Sequence, residues 1–334
     1  MIQLSIIVPV FNVEKYIRLC IETIYRQELD EERFEVIIIN DGTMDKSMEV
    51  IEDIIEEHNN IVVINQENLS LSVARNNGIA AAKGEYILMI DSDDLLIENS
   101  LSRLLDLALE EEVDLLVADF LEMDNEIITS SSSYVNQNRF EYKRKTGIQL
   151  FLEDLNPNQC FVWRTLYKRS FILENNLKFV PGIRYQDVPF THEAYIKANN
   201  CIKTSWLLNI YRKNRPGAST HSFNLKKAKD FCVVIRETWK LRKTKGLPPM
   251  VVQKIKDDVY ATFSTLFYHT LHTINNPLDQ YEILKILNQE VPDLFFTNGR
   301  KQKIETLLFK HMPSLYLKIR RLHWDLTHFH QRID

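Results

Sequence analysis

Five short apolar, β-branched runs punctuate the first 120 residues: 4–10 (LSIIVPV), 34–39 (FEVIII), 61–65 (IVVIN), 86–90 (YILMI) and 114–118 (DLLVA). Such runs predict strands buried on both faces. Between them the apolar spacing changes to the helical period. In 14–27, Ile17, Cys20, Ile21 and Ile24 follow i, i+3, i+4, i+7, while 45–57 and 99–110 carry acidic outer faces. Segment 70–82 is predicted to start on a Ser70 N-cap and to stop at Lys83-Gly84. Strand and helix alternating four times predict an α/β fold, a mainly parallel sheet flanked by helices, with ligands at the carboxyl ends of its strands.

The alternation ends near the polar loop 129–133 (TSSSS). From about residue 224, helical segments are separated by GLPP (246–249), NNPL (275–278), Pro292 and Pro313. The expected division is a catalytic domain over 1–222 and a helical C-terminal region over 223–334.

Composition places the chain among globular proteins, with 45% hydrophobic and 26% charged residues. Cys20, Cys160, Cys201 and Cys232 form no CxxC pair, which argues against a zinc ribbon or disulfide framework and for a reducing, intracellular compartment. The opening MIQLSIIVPVFN has no basic leader and reads as a first strand rather than a signal peptide. No apolar run reaches the eighteen or so residues that span a bilayer. Charge is uneven: residues 300–334 hold eight Lys/Arg against three acids, +5, so the net −5 leaves −10 on the rest.

The chemistry clusters at strand ends. Neither G-x-G-x-x-G nor G-x-x-x-x-G-K-[ST] is present, which excludes the usual dinucleotide and P-loop phosphate cradles. Instead the first strand leads into VPVFNVEKYI, the second into NDGTMDKS, the third helix carries SVARNNGIAAAKGEY, and the fourth strand ends in IDSDDL, 90–95. Three carboxylates in four positions repel one another, so a cation or ligand is expected there. An EF-hand is excluded because Leu96 and Ser102 stand where it needs Gly and Glu.

Together these four segments resemble the family 2 inverting glycosyltransferases of the GT-A fold, bacterial enzymes that use nucleotide-diphosphate sugars. The resemblance covers about 4–120 closely and 160–222 more loosely. It implies donor binding by 1–120 and acceptor binding and catalysis by 121–222. Asp41 would read a uracil imide, with Pro9, Phe11 and Glu14 bordering the base pocket. Arg75, with Leu71 and Ile79 at i±4 and so no local acid, is expected to contact the nucleotide. Asp91-Ser92-Asp93 matches the family's D-x-D: Asp93 as ligand of a manganese or magnesium ion, Asp91 holding the ribose or the metal's waters. Asp94 is read as an N-terminal helix charge.

GIRYQDVPF (182–190) matches the segment that supplies the base, which makes Asp187 the base that deprotonates the acceptor hydroxyl. Gln186 stands where the family commonly has Glu, so a like charge that would raise the pKa of Asp187 is missing from that position. Arg212 and Arg215 in YRKNRPGAST would neutralise the leaving diphosphate or form a solvated loop, and His221 would complete the metal shell. Trp163 and Tyr167 are expected on the acceptor side, where sugars stack on aromatic rings, or in the core.

His192-Glu193 does not open a zincin motif because position 196 is Ile, and His269 with His272 lacks a third ligand. The reading is a metal-dependent inverting glycosyltransferase using a nucleotide-diphosphate sugar, with UDP expected, and a glycan or lipid-linked acceptor in cell-surface polysaccharide synthesis. The rival is a catalytically degenerate scaffold that binds nucleotide-sugar or membrane. No nucleic-acid partner is expected. Localisation would be cytoplasmic, at the inner membrane face, with the basic tail lying on anionic lipid or packing on the catalytic domain.

Overall fold

The computed structural model describes residues 1–129, 134, 139–157, 159–217, 223–294 and 300–327, with the backbone alone at 300–303 and 323–327. It divides into two compact units, Met1–Ala218 and Ser219–Asp334.

The first unit is built on a nine-stranded sheet flanked by helices. In chain order its elements are β1 (Leu4–Val10), α1 (Ile17–Ile24), β2 (Phe34–Asp41), α2 (Glu52–Glu57), β3 (Ile61–Gln66), α3 (Leu71–Ala81), β4 (Tyr86–Met89), β5 (Leu95–Leu96), α4 (Leu101–Glu111) and β6 (Leu115–Asp124). Then follow β7 (Tyr142–Lys145), α5 (Gly147–Gln149), β8 (Thr165–Lys168), α6 (Arg169–Glu174), α7 (Asp187–Lys197) and β9 (Cys201–Lys213). The sheet order is β3-β2-β1-β4-β8-β6-β9-β5, with β7 also on β9.

The predicted parallel sheet is present from β3 to β4. Beyond it the sheet is mixed: β8 is inserted antiparallel between β4 and β6, and only β6 and β9 run parallel. Sequence periodicity shows a strand but not its neighbour, so this insertion was invisible. β3 also departs from expectation. As an edge strand it is only part-buried.

Pro9 sits in the central strand β1 without breaking a ladder. Ile7 turns its carbonyl toward Ile90 N, and Pro9, two residues on, faces the same side. There β4 has already ended, since its last pair with β1 is Ile7↔Met89. Gly78 lets α3 lie against β1, because a Cβ there would come within 2.4 Å of Ile7 Cγ2.

α1 begins later than its apolar period suggests because residues 12–14 bond to the loop after β2. α2 is likewise shortened. Asp45 accepts from Ser47 N at 3.0 Å and Thr43 Oγ1 at 2.8 Å, holding a turn where a helix was predicted.

The second unit is helical: α8 (Leu225–Leu241), α9 (Pro249–His272), α10 (Pro277–Glu290), α11 (Arg300–His311) and α12 (Pro313–Thr327). Three of the expected breakers, Pro249, Pro277 and Pro313, stand at first helical positions, where the missing N–H costs nothing. Its core includes Phe263, Phe267, Phe309 and Tyr316, with Phe263 stacked on Phe267 and the other ring pairs edge to face or tilted. Among the described residues no helix is long and apolar enough to cross a membrane.

Candidate active site

Loops after β1, β2 and β4 meet the start of α3 at one edge of the parallel half-sheet. Asn12, in a left-handed conformation (φ 52°), accepts from Met44 N at 3.0 Å. Val13 N donates to Ser47 Oγ at 2.8 Å, Glu14 N to Asp45 Oδ2 at 3.0 Å, and Lys46 N to Glu14 Oε2 at 3.1 Å. Glu14 therefore clasps the two loops together. Phe11 is 38% exposed at this mouth, so it belongs to no core.

Asp41 ends β2 and is buried. Gln66 Nε2 donates to its Oδ1 at 2.7 Å, Leu69 N to Oδ1 at 2.9 Å and Ser70 N to Oδ2 at 3.2 Å. A carboxylate offers about four acceptor positions, so one remains open on Oδ2. Gly42, at φ 68°, takes the turn that follows, and a Cβ there would meet Asn68 N at 2.9 Å.

Ser70 stands at the expected N-cap position, its carbonyl accepting from Ala74 N at 3.0 Å, but its side chain caps no helix N–H. Ser70 has φ 97° and its hydroxyl accepts instead from Gly182 N at 3.2 Å. That bond belongs to a seam along α3. Asn76 Oδ1 accepts from Phe179 N at 2.9 Å, its Nδ2 donates to Phe179 O at 2.9 Å, and Ser72 Oγ donates to Ile183 O at 3.4 Å. The seam fixes segment 179–187 on the helix that also carries Arg75.

Arg75 is buried, with its Nη2 2.5 Å from Asp91 Oδ1 and its guanidinium 5.4 Å from the centre of the Phe179 ring. Its ion-pair partner is thus sixteen residues away, beyond the reach of helical spacing. Its Nε has no hydrogen-bond partner among the described residues. Asp93 is paired with the Arg215 guanidinium, and Arg212 Nε donates to Asp93 O at 2.8 Å. Both arginines also lie over the Tyr16 ring. Burial pushes the Asp93 carboxyl up, with Arg215 opposing and Asp91 adding to the rise.

Asp94 is not a helix-terminal charge. It is fully buried and accepts from Arg212 N at 2.8 Å, which ties the acidic corner to β9. Burial, then the charges of Asp93 and Asp91, raise its pKa well above the carboxylate range. Among the described residues no three His, Cys, Asp or Glu side chains converge as a metal cage. A two-carboxylate corner suits magnesium or manganese arriving with phosphate oxygens and water, which complete their shells. The Arg215 guanidinium lies on Asp93, the carboxylate that such a cation would use.

Asp187 opens α7. Burial pushes its carboxyl up to about 6, against the pull of Arg75 and with a further push from Asp91. The raised value expected from an acidic neighbour at 186 is therefore supplied by desolvation and by a carboxylate distant in sequence. Gln186 itself is buried. Among the described residues Asp187 makes no ion pair.

Of the two places expected for Trp163 and Tyr167, the core is the one observed. Trp163 and Tyr167 are both buried, and Tyr167 packs edge-on to Phe190 in the core. The half-buried rings nearby are Phe161 and Tyr211, both stacked on Trp163 and tilted against each other, and Phe120, edge-on to both Phe161 and Trp163. His192 is a core residue with Nδ1 2.8 Å from Val188 O. His221 lies outside the described residues. Ser70 and Asp94 were missed as organising residues, since no local pattern distinguishes a strained serine or a buried third acid.

A family model described as glycosyl transferase family 2 matches residues 5–172. The uncharacterized glycosyltransferase EpsJ of Bacillus subtilis is 36% identical over 211 residues, covering 63% of this chain and 61% of that protein. The uncharacterized glycosyltransferase YibD of Escherichia coli is 26% identical over 342 residues, 99% of this chain and 96% of its own. Among solved structures, residues 1–349 of S. aureus TarS in complex with UDP-GlcNAc superpose with a TM-score of 0.70 at 18% identity, over 96% of this chain and 90% of that one.

Proposed function

The chain belongs to glycosyl transferase family 2, and we propose that it moves one sugar, with inversion, from a nucleotide-diphosphate donor to a hydroxyl of a glycan or lipid-linked acceptor in cell-surface polysaccharide synthesis. The UDP-GlcNAc held by the TarS fold supports a UDP-sugar as donor. Residues 1–120 would bind it, 121–222 would hold the acceptor, and 223–334 would form the helical appendage, at the cytoplasmic face of the membrane.

Asp41 offers its open Oδ2 position to the uracil imide, between Pro9, Phe11 and Glu14 on one side and Ser70 on the other. Asp187 takes the proton of the acceptor hydroxyl, whose oxygen attacks the anomeric carbon from the face opposite the diphosphate. The bond from that carbon to the diphosphate oxygen breaks, and the electron pair leaves with UDP. Burial, with Arg75 opposing and Asp91 adding to the rise, sets the protonation range of Asp187. When bound, a manganese or magnesium ion on Asp93, steadied by Asp91, would supply charge compensation for the diphosphate.

The observation that carries the reading is Asp187: a carboxyl raised to about 6, free of an ion pair among the described residues and within the field of the Arg75–Asp91 pair. A base of that pKa is deprotonated at neutral pH yet basic enough to accept a proton. The test is sugar transfer from a panel of UDP-sugars to lipid-extracted and soluble glycan acceptors, with product anomeric configuration read by NMR. A retained configuration removes the inverting mechanism. UDP binding without turnover under any donor and acceptor tried favours the degenerate scaffold, for which Gln186 is the one supporting feature.

A further inference from the structure

We propose that the outward faces of α10 and α12 form a docking surface for an anionic lipid bilayer. α12 and the residue before it present two distinct faces. The first is occupied: Tyr316 is buried against Phe267 and Phe309, and Arg320 on its flank pairs with Glu305 at 3.3 Å. The second, Met312, Leu315, Ile319 and Leu322, follows i, i+3, i+7, i+10 and is 38–61% exposed. A helix that must only fold onto its own unit needs one apolar face. The second requires a partner.

α10 extends this surface with Leu278, Tyr281 and Lys285, at i, i+3 and i+7 and all exposed. The two helices meet in an open hollow of about 420 Å³ lined by Tyr281, Met312, Leu315 and Lys318, so the apolar groups are contiguous rather than scattered.

Charge selects the partner. Lys285 and Lys318 are exposed on this face, whereas Glu282 and Glu290 of α10 and Glu305 of α11 are each paired, with Lys229, Arg236 and Arg320, which leaves Asp279 as the acid of α10 outside an ion pair among the described residues. A second copy docking symmetrically would bring Lys318 and Lys285 toward their own equivalents, which like-charge repulsion opposes. An anionic bilayer accepts both halves of the pattern. Leu and Ile enter the acyl boundary, Tyr281 sits at the headgroup level, and the lysines meet lipid phosphates. Exposed lysines flanking apolar side chains also snorkel, covering the edge of the inserted patch.

The inference rests on the reading above only for the nature of a lipid-linked acceptor; the surface is independent of the transfer chemistry. The experiment is co-sedimentation of the full chain with phosphatidylcholine vesicles, with and without phosphatidylglycerol. Binding is expected only with the anionic lipid, to be lost in high salt. Leu315→Glu/Ile319→Glu should weaken it at least about tenfold, and Lys318→Gln about fivefold, the usual effect of one basic residue near the surface. Lys318→Gln alters one exposed group, so it decides the question if the double variant melts early. Absence of binding to anionic vesicles, equal binding by the variants, or a dimer in light scattering that Leu315→Glu dissociates would overturn the proposal. Transfer to a soluble acceptor, measured on the same variants, should be unchanged. Failed vesicle binding with intact transfer overturns the docking surface alone, whereas no transfer by any form overturns the enzymatic reading.

Discussion

The acidic corner 91–94 and the N-terminus of α7 both hold carboxyl groups partly or wholly out of water, but they treat the charge differently. Asp91 and Asp93 each face a guanidinium, from Arg75 and Arg215. Asp187 has none in contact and pays for its burial with a pKa near 6. Asp91 and Asp93 are each given a contacting cation, although burial still pushes the Asp93 carboxyl up, whereas Asp187 is left to desolvation without one. The difference arises from chain placement: the corner sits where β4 ends beside Arg75 of α3 and Arg215 after β9, while Asp187 follows a separate segment whose backbone N–H groups donate to the side chains of Asn76 and Ser70.

The largest expected effect is on the unpaired acid. Asp187→Asn should lower kcat by at least about a hundredfold while leaving UDP affinity, measured by calorimetry, nearly intact. Its stability should rise. The folded pKa lies above the unfolded value near 3.8, so ionised Asp187 destabilises the fold progressively as pH rises from about 4 through about 6. At pH 7–8 the Asn variant should gain up to about 3 kcal/mol in denaturant titrations. A variant that is both inactive and less stable at pH 7 would make Asp187 a structural residue.

Breaking a paired carboxylate should do the opposite. Arg75→Ala leaves Asp91 without its cation and should cost about 2–3 kcal/mol of stability, somewhat below the loss for a fully buried pair because Asp91 reaches solvent. The same variant removes the opposing charge on Asp187, so the acid limb of the pH–rate profile should move to higher pH. Asp91→Asn should move it to lower pH. Shifts of the same sign in both variants would contradict the placement of Asp187 between an attracting and a repelling charge.

Next come the donor contacts. Asp41→Ala should weaken UDP binding by about 1.5–3 kcal/mol with or without manganese, the worth of a charge-assisted hydrogen bond. Asp93→Ala should instead abolish the manganese dependence itself. Full dependence remaining in Asp93→Ala would remove Asp93 from the cation corner.

The smallest effect expected is at position 186. Gln186→Glu adds a like charge beside a group already raised by burial, so the pH–rate profile should shift upward by about one unit or less. Loss of folding there would show that the buried amide is structural.

The strand runs, the order of the four strand-end segments and the proline-delimited helices were legible in the residues, because apolar period and chain breakers act over a few positions. The family resemblance of those segments, not their period, brought Asp41, Asp91, Asp93 and Asp187 into view as candidates. What the sequence could not determine is which charge answers which. Arg75 finds Asp91 and Arg215 finds Asp93 across turns of chain that no spacing rule spans, and β8 enters the sheet where no pattern announces it. Trp163 and Tyr167 became core and Phe11 became surface for the same reason. Period reports that a residue has an apolar side, but burial, and with it the pKa of Asp187, is set by what the other elements place around it.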